Sequence, residues 1–133
     1  MAINTQMLVP VSRILLANIF LIDGVMKLFS YESVAEWMFL KGVPEASLPF
    51  VIIFEVIGSF FIIIGWQTKI LSLFFFAFCI LTAIIFHSEL SNRMDQIIFM
   101  KNVSMAGGFL ILFLHGGGDY SLERLLKRRS NSR

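Results

Sequence analysis

The sequence predicts an all-α integral membrane protein, a four-helix bundle with a short amphipathic helix in its first external loop. Three observations predict it. Of 133 residues, 57% are hydrophobic and only 15% are charged, where a soluble domain carries charge on about a quarter. Four apolar runs each reach the roughly 20 residues a helix needs to cross about 30 Å of hydrocarbon. The runs, FVIIFEVIGSFFIIIGW and ILSLFFFAFCILTAIIF among them, lack the apolar and polar alternation of a transmembrane barrel, and lipid cannot satisfy an open backbone. The length predicts a single domain over 1–133. High apolar content argues against disorder, and one cysteine with two histidines argues against a disulfide scaffold or a structural zinc site. No metal site is expected.

The spans fall, to within a few residues, at 7–29, 48–66, 70–87 and 96–116. The opening MAINTQMLVP has no basic residue ahead of the apolar run and no small-residue cleavage pattern after it, so it does not read as a cleavable signal peptide. The first loop, SYESVAEWMFLKGVPEASLP, predicts a helix that starts near Ser30, exposes Glu32 and Glu36, and ends at Gly42 before Pro44, lying on the outer membrane surface. Trp37 and Trp66 read as interfacial anchors. HGGGDYSLE, from His115, terminates the fourth span, and an amphipathic segment starting at Ser121 docks the basic tail 117–133.

Arg124, Lys127, Arg128, Arg129 and Arg133 crowd the last ten residues. Beside a membrane, such a cluster signals topology and anionic-lipid contact before nucleic-acid binding. With Lys69 it outweighs Lys41 and Arg93 in the other loops, so the positive-inside rule places both termini in the cytoplasm.

Charged side chains inside spans cost several kcal/mol (about 2.5–3.5 on insertion scales) unless paired, hydrated or able to snorkel. Five need an explanation: Arg13, Asp23, Lys27, Glu55 and Lys101. Asp23, Glu55 and Lys101 lie roughly 8–10 Å below the outer ends of their helices. Lys27 and His87 sit nearer the same surface, and Asn102 adjoins Lys101. Four helices thus bring a polar group to the outer half of the bundle. Spacings of three and four align Arg13, Ala17, Phe20, Gly24 and Lys27 on one stripe, and Glu55, Gly58, Ile62 and Gly65 on another. On the fourth span Lys101, Ser104, Gly108, Ile111 and His115 form a third. Small and polar residues favour helix contacts in lipid, so these faces are expected to turn inward. Several of Phe74, Phe75, Phe76 and Phe78 are expected to meet lipid.

Two readings of the cluster stay open. Asp23 with Lys27 and Glu55 with Lys101 balance formally, so they can act as glue that sets helix register. Alternatively, Glu55, Lys27, Asp23, Lys101, Asn102 and His87 form a site for a small molecule, a proton or a quinone head group, with Glu55 the titrating member. Arg13, near the inner face, reads as a snorkelling residue or a partner for the end of the fourth span. His87 and His115 fall at opposite ends and cannot share a metal within one subunit. Cys79 stands alone, which excludes dithiol chemistry within the chain. No catalytic residues emerge.

RILLANIFLIDGVMKL from Arg13, FEVIGSFFIIIG from Phe54, the pair Phe86 and His87, KNVSMAGGFLIL from Lys101 and GGGDYSLE from Gly116 occur in an order and spacing that resembles the DoxX family of small four-helix membrane proteins. The resemblance covers nearly the whole chain and carries over to Arg13, Gly24, Lys27, Glu55, Gly58, His87, Lys101, Asn102, Gly107 and Gly108. Glu123 departs from a family ending that resembles SLD. The resemblance implies a bacterial inner-membrane protein that anchors or assists a redox-related partner (quinone, sulfur or oxidative stress) without catalysis of its own. A carrier for a small molecule or proton and a structural assembly factor are the alternatives. Gly24, Gly58, Gly65, Gly107 and Gly108 are expected to pack helices, and faces such as 58–65 or 107–108 offer a homodimer contact.

Overall fold

The computed structural model describes residues 5–131, so Arg133 of the basic tail lies outside the described residues. A short turn, Thr5–Met7, leads into the first span, Leu8–Phe29. Pro10 is accommodated in its first turn, where backbone N–H groups have no intrahelical acceptor. After a break at Ser30 the chain forms the loop helix, Tyr31–Leu40. Gly42 reverses the chain with φ +79°, and Val43 N–H donates to Met38 O at 2.9 Å. Ala35 and Met38 of this helix bury against Leu48 and Ile52, which fixes it over one end of the bundle.

The second span covers Glu45–Ile64 and is not a uniform helix. A turn at Glu45–Ser47 and a helix at Leu48–Ile53 precede a π-helical turn at Phe54–Gly58, after which Ser59–Ile64 is α-helical again. The third and fourth spans are Thr68–Phe86 and Arg93–His115. Asn92 caps the fourth, its side chain accepting from Met94 N–H at 2.9 Å, the role Asn commonly takes at helix starts. A tail helix, Leu122–Ser130, is capped by Ser121. Four helices among the described residues are long and apolar enough to cross a membrane, and no strand occurs among them.

One phenylalanine from each span builds the centre. Phe75 lies 4.4 Å from Phe54, 4.9 Å from Phe20 and 5.0 Å from Phe109, between ring centroids. Lipid tails are as apolar as these rings, so close packing holds the spans together instead of exclusion from water. Ala17, Ala106 and Cys79 fill the spaces around the rings.

The inward faces of the first two spans are those the spacing predicts: Arg13, Ala17, Phe20 and Gly24 on one, Glu55, Gly58, Ile62 and Gly65 on the other. The fourth span differs. Its buried stripe is Asn102, Ala106, Phe109 and Leu112, while Lys101, Ser104, Ile111 and His115 are exposed. The helix is rotated by about one residue from the small and polar stripe. Phe109 must reach the ring cluster and Ala106 the third span, whereas Ser104 satisfies its hydroxyl on its own helix, donating to Met100 O at 2.9 Å. On the third span Phe75 points inward and Phe74 outward.

Glycines at the helix contacts follow the same logic. A Cβ on Gly24 would lie 2.8 Å from Val56 Cγ2, and one on Gly58 would lie 3.0 Å from Phe75. Gly108 meets Leu16 of the first span, but nothing lies within 4 Å of a Cβ on Gly107, so Gly107 packs no helix within the chain. Gly65 ends the second span at φ +78°, where a Cβ would fall 1.9 Å from Arg13 Nη1. Gly65→Ala therefore combines left-handed strain with a collision and is expected to destabilise by more than about 2 kcal/mol. Gly107→Ala, at a helical and open position, is expected to be neutral or stabilising by up to about 1 kcal/mol. Unfolding of the two variants in mixed detergent, against the parent, checks the contrast.

Candidate functional site

The end of the bundle covered by the loop helix holds a cluster of charges. Lys27 Nζ donates to both carboxylate oxygens of Glu55, at 2.9 Å and 2.7 Å, and also to Asp23, one turn earlier on its own helix. Glu55 is 2% exposed, the Lys27 side chain 16% and Asp23 58%. The inner carboxylate is thus dry and the outer one wet. An ion pair in apolar surroundings holds only when its donors and acceptors are used up, and here one ammonium spends its N–H groups on two carboxylates.

Local structure makes the reach possible. Gly24 lets the first span approach Glu55 and Val56 closely. The π turn widens the second span at Glu55, and Ser59 Oγ donates to Glu55 O and, at 3.2 Å, to Val56 O. That hydroxyl adds a second donor to the two carbonyls that the Ser59 backbone N–H also reaches at the end of the wide turn. The expected Glu55 to Lys101 pair does not form. Lys27 occupies both Glu55 oxygens, and Lys101 projects from the exposed side of the rotated fourth span.

These groups line a cleft of about 690 Å³ between the first and fourth spans. The two helices meet at Leu16 and Gly108 and diverge toward the loop helix, which closes the cleft with Val34, Trp37 and Met38. Asp23, Lys27, Glu55, His87, Lys101 and Asn102 all border it. Asn102 is buried and donates to Ile98 O at 3.1 Å. His87 Nδ1 lies 2.9 Å from Asp95 Oδ1; a carboxylate only accepts, so Nδ1 carries the proton. Trp37 stacks on Phe86 at 4.7 Å and lies 5.8 Å from His87, tying the loop helix to the end of the third span.

Two cleft groups are unspent. Among the described residues neither Lys101 nor Asn18 has a hydrogen-bond or ion-pair partner. Asn18 carries no charge and so is not marked by charge alone, although an amide in mid-span is itself a signal in lipid. Leu15, Ile22 and Met26 form the rim on the first span and are exposed, so the mouth opens where lipid lies.

Arg13 belongs to the other end. It is 2% exposed and donates from Nη1 to Gly117 O and from Nη2 to Tyr120 O, both at 2.8 Å. It ties the first span to the loop after the fourth, where helix C-terminal carbonyls attract a cation. Its Nε, with Thr68 Oγ1 and Ser72 Oγ, is buried without a partner. No group of His, Cys, Asp and Glu able to hold a metal occurs among the described residues.

A membrane bundle with a polar cleft is the class this geometry defines. The family model described as DoxX matches residues 8–88. Inner membrane protein YqjF of Escherichia coli (strain K12) is 39% identical over 121 residues, covering 91% of this chain and 93% of that protein. Inner membrane protein YphA of the same organism is 33% identical over 124 residues, covering 88% and 89%. No solved structure matches. The chain belongs to the DoxX family and is a multi-pass inner-membrane protein.

Removing Lys27 strands Glu55. Lys27→Met is expected to cost about 3–5 kcal/mol, and Lys27→Met with Glu55→Leu to recover most of it. Lys101→Gln is expected to stay within about 0.5 kcal/mol of the parent. Exchanging Glu55 and Lys101 should rescue nothing. Unfolding free energies of the four variants in mixed detergent decide between these outcomes.

Proposed function

We propose that the protein binds a small lipid-soluble molecule with a polar head in the cleft between its first and fourth spans, and through it serves a membrane redox partner as an accessory subunit. One observation carries the reading: an apolar cleft presents Lys101 and Asn18 unspent, while the neighbouring ion triad satisfies itself. A polar group left unsatisfied in lipid is costly, and a ligand head with acceptor oxygens relieves it. Such a site is mostly apolar with a few placed polar groups. Glu55, Lys27 and Asp23 form its wall, Lys101, Asn102 and Asn18 its donors, and His87 the edge under Trp37. A quinone, the class implied by the family resemblance, offers carbonyl acceptors on an apolar tail and suits these donors.

A second reading, a structural assembly factor, is favoured by the closure of the Asp23, Lys27 and Glu55 triad on itself. Mass spectrometry of the protein gently extracted from its native membrane separates the two. The binding reading expects a quinone or other amphiphile near one-to-one, reduced at least about tenfold by Asn18→Leu with Lys101→Met, the loss of two hydrogen-bonding groups. Absence of any bound molecule, with the double variant fully stable, would leave the assembly reading. A stoichiometric enzyme in the same spectrum would supply the redox partner.

We also take the chain as one domain with both termini in the cytoplasm. The end carrying the termini holds Lys69, Arg124, Lys127, Arg128 and Arg129 against Asp119 and Glu123, whereas the opposite end holds Glu32, Glu36, Glu45, Glu89 and Asp95 against Lys41 and Arg93. Basic residues favour the cytoplasmic side. A green fluorescent protein fused after Arg133 is expected to fluoresce, and a periplasmic reporter at the same place to stay silent.

A further inference from the structure

The tail helix carries an apolar face that the described residues leave largely uncovered. Leu122, Leu125 and Leu126 recur at spacings of three and four and share a side, yet Leu125 and Leu126 are 54% and 49% exposed, and none of the helix's residues is buried. On the other side stand Arg124, Lys127 and Arg128. Two acidic groups partly balance them: Arg124 Nε lies 3.4 Å and Arg128 Nη2 4.0 Å from Asp119 Oδ1, and Lys127 lies 3.6 Å from Glu123. With Arg129 the basic side chains outnumber the acidic ones two to one, so a positive surplus remains.

The start of this helix is held at a defined level. Glu123 N–H donates to Gly65 O at 3.2 Å, pinning the first turn to the end of the second span. Ser121 Oγ donates to Gly118 O at 2.7 Å and caps the helix, and Arg13 grips Tyr120 O. Trp66 and Tyr120, both exposed, flank this anchor. Exposed Trp and Tyr beside the end of a span mark the headgroup level of a bilayer. The leucine face therefore begins where acyl chains meet headgroups.

We infer that the tail helix lies in the membrane interface and binds an anionic phospholipid surface, its leucines among the upper acyl carbons and its basic side chains on the lipid phosphates. An amphipathic helix with a cationic polar face takes that position. Charge complementarity selects the occupant, since a protein partner would have to match a leucine stripe bordered by lipid on one side. Arg13 then connects the lipid-bound tail to the bundle, because the same guanidinium holds Gly117 and Tyr120.

The test uses the full chain in nanodiscs of phosphatidylcholine with or without phosphatidylglycerol. A nitroxide is placed at Leu126→Cys or at Arg128→Cys; Cys79 is buried and stays unlabelled. With phosphatidylglycerol, the label at 126 is expected to be reached by oxygen and shielded from a water-soluble nickel reagent, while the label at 128 stays open to nickel. Each basic residue near an anionic surface contributes about a five-fold preference. Changing Arg124, Lys127, Arg128 and Arg129 to Gln together should therefore lower the retained ratio of phosphatidylglycerol to phosphatidylcholine in native mass spectra by more than about ten-fold. Equal nickel access at 126 and 128 would overturn the inference. So would shielding of 126 from both reagents, which would place protein on the leucines, or equal depth in the two lipid compositions, which would remove the anionic preference. Both labelled positions are exposed, so the depth measurement does not depend on the charge variant folding.

Discussion

A carboxylate sealed inside the bundle sets the terms for the rest of this structure. Glu55 is almost fully buried, and hydrocarbon gives it no partner, so an ammonium must be brought to it from another helix. That requirement reaches into the backbone of two spans. The first span can deliver Lys27 only if it runs close to the second, which needs Gly24 to lack a side chain where Val56 Cγ2 would strike it. The second span aims Glu55 inward from a π turn, with Gly58 and Ile62 buried beyond it on the same face. Ser59 adds its hydroxyl to the Glu55 carbonyl at the end of that turn, beside its own backbone N–H.

At the opposite end a buried cation takes the corresponding part. Arg13 meets two loop carbonyls instead of a carboxylate, and its guanidinium occupies the space that Gly65 and Gly117 leave free. The first span thus carries one charged side chain fixed by hydrogen bonds at each end, Arg13 and Lys27, with Ala17 and Phe20 between them in the apolar core. Polar contacts at the ends determine register, and the four phenylalanines in the middle determine how closely the spans approach. Close packing and charge pairing divide the work because no hydrophobic force sorts helices from lipid.

The cleft follows from the same division. Once Phe109 and Ala106 turn the fourth span toward the third, and Gly24 draws the first toward the second, the first and fourth spans meet mainly where Leu16 covers Gly108. Above that contact a space opens, roofed by the loop helix through Trp37 and Phe86. Its polarity is uneven, a self-satisfied triad on one wall and Lys101 with Asn18 unspent. That unevenness supports the proposed binding reading over helix glue, in which every polar group would be spent.

The sequence by itself determined the class, the four spans, the loop helix and the inward faces of the first and second spans. Each rests on a local rule: run length against bilayer thickness, three-and-four spacing, and glycine or proline at a break. It also marked Glu55, Lys27 and Asp23 as side chains that lipid cannot accept. Which cation meets Glu55 was not legible, because Lys27 and Lys101 lie at similar depths and the choice depends on how far the fourth helix is rotated. That rotation is set by the fit of Phe109 against rings of the first and third spans, Phe20 and Phe75, contacts between residues far apart in sequence. The same rotation exposed Lys101 and left Gly107 without a neighbour. Small and polar residues point toward contacts only on average. In a medium where exposed apolar surface costs nothing, tertiary packing decided which face of the fourth helix turns inward.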